Sequence, residues 1–150
     1  MAMLKEQISK MLVQATQHQI DLLKKDITEI QASANEETKS SAGDKYETGR
    51  AMAQLEIDKL RNQLFQAENA IQVLNGISLE NQSDQVKLGS LVKTTQGCFF
   101  ISISSKEIAI KNQMVHPISI SAPMAKCLMG RKKGDLVEFL GRQFLIEDLS

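Results

Sequence analysis

Apolar side chains return along the first half of the chain at alternating steps of three and four. One run is Ile20, Leu23, Ile27, Ile30 and Ala34, and a second is Ala53, Ile57, Leu60, Leu64, Ala67, Ile71 and Leu74. Such spacing keeps every apolar residue on one helical face, so it is a heptad seam met twice. Between the runs stands Ser33-Ala-Asn-Glu-Glu-Thr-Lys-Ser-Ser-Ala-Gly43, small and polar with a helix-stopping Gly, which predicts a turn between two helices. In an antiparallel hairpin the numbers of facing residues keep a nearly constant sum. The pairs Ile30/Ala53, Ile27/Ile57, Leu23/Leu60 and Ile20/Leu64 do so, and Thr16/Ala67, Leu12/Ile71 and Ile8/Leu74 continue the register. The pattern therefore predicts an antiparallel coiled-coil hairpin over residues 1–78. Helices of roughly 33 residues at about 1.5 Å per residue form a rod on the order of 50 Å long, with its tip over residues 40–47.

From Leu79 the period falls to two or to continuous β-rich runs: Val86 to Thr94, Cys98 to Ser104, Glu107 to Lys111, Val115 to Ile120, Leu136 to Leu140 and Gln143 to Glu147. These read as strands of a small antiparallel sheet. One helix interrupts them between Ser121 and Gly130, with Ser121 as N-cap, Pro123 in the first turn and Gly130 as the stop. The fold class is α+β, with residues 79–150 as a second domain and the boundary near 76–84.

Composition agrees with the division. All eight glycines lie from Gly43 onward and both prolines lie beyond residue 116. The 18 basic and 18 acidic residues cancel, which argues against an unaided grip on duplex DNA, where a clustered basic surface dominates binding. No apolar run approaches the ~20 residues needed to span a bilayer, and the first residues lack a basic segment followed by an apolar core, so a cytoplasmic protein without a membrane contact is expected. Cys98 and Cys127 form no CxxC, and His18 and His116 are far apart, so a zinc site has too few clustered ligands. Both thiols read as reduced. A self-paired hairpin predicts a monomer.

Asp44 and Glu47 are the residues with the most chemistry to offer. Asp at an N-cap with Glu at the third helical position is a capping box, and carboxylates at a helix N-terminus are favoured by its dipole. Two carboxylates on a long probe also suit Mg2+, which takes one or two of them and keeps its other positions for water and phosphate oxygens. The two readings are compatible. Tyr46 either stacks on an RNA base or packs on the seam, and Arg50 either contacts phosphate or pairs with Glu47 or Glu36.

Beyond single residues, Ile118-Ser-Ile-Ser-Ala-Pro-Met-Ala-Lys-Cys-Leu-Met-Gly-Arg-Lys-Lys-Gly-Asp135 resembles the strand, Ser-Pro helix and Gly-Lys-x-x-Gly-Asp turn of the Gre family of bacterial transcript-cleavage factors. Gly89-Ser-Leu-Val92 is similar to that family's first C-terminal strand, and Gly43-Asp-Lys-Tyr-Glu47 to its acidic tip. The resemblance covers essentially the whole chain. It implies an FKBP-like C-terminal domain at the rim of the RNA polymerase secondary channel and a coiled coil inside the pore. Asp44 and Glu47 would then help hold the second Mg2+ while the polymerase hydrolyses the 3′ end of a backtracked nascent RNA. DNA would be met only indirectly. The chain would be an accessory without catalysis of its own. Ser121, Ala122 and Pro123 match a loop implicated in polymerase contact, with Arg131, Lys132 and Lys133 as a polar rim. This chain departs from the pattern where Lys45, Tyr46 and Thr48 surround the acid pair and where Ala122 replaces a Ser.

Two other functions fit the residues. One is a secondary-channel regulator without cleavage stimulation, in which the tip acids serve only as caps. The other is a coiled-coil or FKBP-like interaction module unrelated to polymerase. Prolyl isomerase activity is not expected, because the second domain has no Trp or Tyr to line a proline pocket.

Overall fold

The computed structural model describes residues 2–37, 43–80 and 83–150, and side chains over 3–36, 47–80 and 83–150. Helix α1 spans Ala2–Glu37 and helix α2 spans Gly43–Gly76. The predicted turn is shorter than the sequence suggests at both ends. Ala34, Glu36 and Glu37 are ordinary helix formers and extend α1, while Gly43, read as a stop, is already helical. Residues 38–42 of the predicted turn, which include the start of the predicted tip, lie outside the described residues.

The chain divides into two compact units, Gln14–Gln72 and Met1–Val13 with Val73–Ser150. In the first, one apolar cluster joins Ile20, Leu23 and Ile27 to Ile57, Leu60 and Ala67, with Ile30, Leu64 and Ile71 packed against it. Every member is a seam position named from spacing alone. Each fully buried Leu or Ile contributes roughly 1.5–3 kcal/mol, enough in sum to hold helices whose outer faces are polar. Thr16 continues the buried row.

The second unit is built on a six-stranded sheet. Its strands are β1 (Leu91–Thr94), β2 (Gly97–Ser102), β3 (Ile108–Ile110), β4 (Gln113–Ser119), β5 (Leu136–Phe139) and β6 (Arg142–Leu149), in the order β3-β4-β2-β1-β6-β5. The sheet is mixed, where the strand pattern predicts an antiparallel one: β2 and β4 run parallel, Cys98 opposite Val115 and Ile101 opposite Ile118. The cause is topological. The link after β2 carries the chain one place too far, β3 runs back along the sheet edge, and the turn at Lys111–Asn112 returns β4 between them in the direction of β2. The predicted strand from Val86 also begins late, at Leu91, because the chain turns at Gly89. That residue has φ +92°, and a Cβ there would stand 2.7 Å from Ile77. Val86 instead exchanges backbone hydrogen bonds with the segment after the third helix, its N–H donating to Arg131 and its carbonyl accepting from Gly130.

Helix α3 (Pro123–Leu128) packs on β4 and β5. Its Met124, Ala125 and Leu128 join Val86, Val92, Ile101, Val137, Phe144 and Ile146 in one core. The opposite sheet face carries Leu91, Cys98, Phe100 and Val115, all buried. The same unit includes the buried Leu4, Ile8 and Leu12 of α1 and Leu74 of α2.

Lys5 is buried in this unit, at 3% exposure, and has no carboxylate partner among the described residues. Burial, and secondarily the nearby Lys87, lower its pKa from the usual 10.5. Replacing Phe100 by Ala should cost about 3–5 kcal/mol in urea unfolding, whereas the exposed Leu55→Ala should stay within about 0.5 kcal/mol. For Lys5 the unfolded chain binds the proton more tightly than the folded one. Stability should therefore rise with pH between the lowered folded value and 10.5. Lys5→Met should raise the thermal midpoint at neutral pH, and that gain should shrink in melts recorded toward pH 10.5.

Candidate functional site

The acidic pair stands at the start of α2. Positions 44 and 47 lie about one turn apart on one face of that helix, and the Glu47 side chain is exposed. Because the backbone is helical from Gly43, the helix begins sooner than a cap at Asp44 requires, and both acids belong to its first turns. A carboxylate there faces the positive end of the helix dipole and needs no partner to be stable. The side chains of Asp44 and Tyr46 lie outside the described residues. Arg50, one turn beyond Glu47, is exposed and is not an unpartnered cation.

Further along the hairpin the two helices leave a groove of about 340 Å³. Asp26, Glu29 and Glu56 line it over an apolar floor of Ile30, Ala53 and Leu60, with Gly49 toward the tip. Among the described residues, no group of three or more His, Cys, Asp and Glu could hold a metal ion.

Around α3 the structure explains the local sequence and corrects one reading of it. Ala122, not Ser121, is the N-cap, with φ −66° and ψ 140°, and no side chain caps the helix. Pro123 forces its predecessor into extended backbone, which pushes Ser121 a residue too early to cap. The Ser121 hydroxyl lies 2.6 Å from that of Ser119, which also accepts the Ser121 N–H. Gly130 takes φ +78° just past the helix, as its role as a stop requires. Arg131, Lys132 and Lys133 are exposed on a turn fixed by Asp135, whose carboxylate accepts the Lys132 N–H at 2.8 Å. Ser121 and Pro123 are exposed and Ala122 half-buried. The six residues of α3 keep these two groups apart by about 9 Å of helix. They are the two ends of one element, not one cluster.

A polar pair escaped the sequence reading. His116 Nδ1 lies 3.3 Å from Glu107 Oε1, and the imidazole sits 5.4 Å from the Phe99 ring. Both residues line a groove of about 680 Å³ with Ser104, Lys106, Met114 and Pro117. The constant-sum test that pairs the helices would have found it, since Ile108 opposite Val115 puts Glu107 opposite His116.

No family model matches the sequence, and no curated protein matches it. Among solved structures, one described as "Structure of the transcription factor Gfh1" is similar at 18% identity and a TM-score of 0.35, covering 91% of this chain and 92% of that one.

Both cysteines are free, Cys98 buried and Cys127 half-buried. Burial, only partly offset by Lys93 and a backbone hydrogen bond, pushes the Cys98 thiol up to about 11. At neutral pH it is a protonated, covered thiol and a poor nucleophile. Alkylation by iodoacetamide, read by peptide mass spectrometry, should modify Cys127 first and reach Cys98 only when the protein is unfolded.

Proposed function

We propose that this protein is a Gre-like transcription factor that enters the secondary channel of RNA polymerase and stimulates Mg2+-dependent cleavage of backtracked nascent RNA. The observation that carries this reading is a helical hairpin closed by a continuous apolar seam, with Asp44 and Glu47 one turn apart where its second helix begins. A probe of that kind, with helical limbs on the order of 40 Å within the hairpin unit, suits a narrow, deep channel better than an open surface. The likeness of residues 118–135 to the Gre strand, helix and turn supports the same partner.

In this reading the polymerase owns the catalytic centre, and the chain has no nuclease activity alone. Asp44 and Glu47 hold and orient, their oxygens accepting hydrogen bonds from water or completing the coordination of a shared cation. Mg2+, when bound, supplies charge neutralisation at the phosphate and activation of a water. Glu47, in the first turns of α2, gains from the helix dipole. Tyr46 and Arg50 are the candidates for contact with the RNA end. Ser121, Ala122 and Pro123, with Arg131 and Lys132, are the candidates for contact with the polymerase outside the channel. The factor acts as a cytoplasmic monomer and meets DNA only through the polymerase.

The altered surroundings of the acid pair, Lys45, Tyr46 and Thr48, favour a second reading in which the hairpin occupies the channel without stimulating cleavage. A halted, backtracked polymerase complex carrying 3′-labelled RNA separates the two. Wild-type protein with Mg2+ should release short labelled 3′ fragments, and Asp44→Asn/Glu47→Gln should slow that release about a hundredfold or more, the loss of a two-carboxylate metal contribution. Equal, cleavage-free effects of both proteins on RNA synthesis would establish the second reading instead. No binding to polymerase by either would remove both and leave an unrelated interaction module.

A further inference from the structure

The hairpin of β5 and β6 turns on Leu140 and Gly141, with φ +51° and +76°. A two-residue turn with both φ values positive favours Asn, Asp or Gly at its first position, because a larger L side chain crowds its own backbone there. Leu140 therefore strains the turn. Its side chain is also 85% exposed, the highest among the large apolar residues described. A residue that strains the backbone and buries nothing does not serve the fold that contains it. Strain of this kind persists where a position is used for something else.

The strands behind the turn point the same way. Val137 lies opposite Phe144 and both are buried against α3, as the inward face of a sheet demands. The adjacent register pair, Leu136 opposite Leu145, belongs to the other face and is 55% and 39% exposed. Alternation would place polar residues there. Two exposed carboxylates border the leucines, Glu138 two residues after Leu136 and Glu147 two residues after Leu145.

We infer that the outward face of this hairpin, Leu136, Leu145 and the tip residue Leu140, is a docking surface for an apolar segment of RNA polymerase flanked by Lys or Arg. This rests on the polymerase reading above and adds to it a contact separate from both ends of α3. The leucines supply area that loses water on contact, while Glu138 and Glu147 select a basic surround and orient the approach. A second copy of this chain is the poorer occupant, because it would set the same carboxylates against each other.

The test measures the affinity of fluorescently labelled full-length protein for its cognate core RNA polymerase, at low and high salt. Wild type is compared with Leu140→Asn, which suits the turn, and with Leu136→Thr/Leu145→Thr, which keeps β-forming residues on both strands. Both variants should weaken binding by about tenfold or more while melting temperatures hold or, for Leu140→Asn, rise. Wild-type affinity should fall with salt more steeply than that of a Glu138→Gln/Glu147→Gln variant. Binding by wild type and both leucine variants within about twofold would overturn the inference and leave the polymerase reading standing. Failure of wild type to bind at all would overturn both. Self-association that Leu140→Asn abolishes, with polymerase affinity unchanged, would overturn it in favour of a second copy.

Discussion

The contact between two apolar stripes, one on α1 and one on α2, is the interaction on which the hairpin unit depends. Away from the seam the described faces of both helices are mostly polar, with Leu22, Met52, Leu55 and Phe65 as exposed apolar exceptions. Lys24, Lys25, Asp58, Lys59 and Arg61 are exposed, and among the described residues Ile20, Leu23, Ile27, Ile57, Leu60 and Ala67 form its core, with Ile30, Leu64 and Ile71 packed against it. A heptad seam has a particular consequence. It fixes which residues face one another along the hairpin, and Asp44 and Glu47 lie where the second helix begins.

The sheet unit answers to a different constraint. The central strands β1 and β2 bury both faces over part of their length, one against the α3 core and the other in a second apolar layer that includes Leu91, Phe100 and Val115. That double demand explains why β2 reads as an almost unbroken apolar run rather than a clean alternation. Where the demand ends, at β5 and β6, alternation returns, and the exposed leucines there stand out because the fold does not need them.

The electrical balance of the chain gives these features their meaning. With 18 charges of each sign, the bulk field of this protein does not favour a nucleic acid. A pair of carboxylates at a helix N-terminus is a local feature of a different kind. It is stable when empty, because the helix dipole favours it, and it can share a cation without the many ligands that a tight autonomous site requires.

The hairpin was legible in the sequence because a helical period is a local property, and a constant-sum register extends it to pairs of residues without any knowledge of the rest of the fold. Asp44, Glu47 and the ends of α3 stand out in the sequence because they sit in short motifs whose chemistry is carried by neighbouring residues. Other features depend on events distant in sequence. The parallel pairing of β2 with β4 arises from where a connection lands, and the Glu107–His116 contact from a register set by a turn. Ser121 lost its cap because Pro123 constrains the residue between them, a backbone effect rather than a side-chain preference. Leu140 looks like one more apolar residue in a strand until its φ is known. Periodicity and motif decided the elements and the candidate chemistry of this protein, while pairing order, caps and strained turns waited on the tertiary structure, because only there do backbone geometry and non-local neighbours act on the same residue.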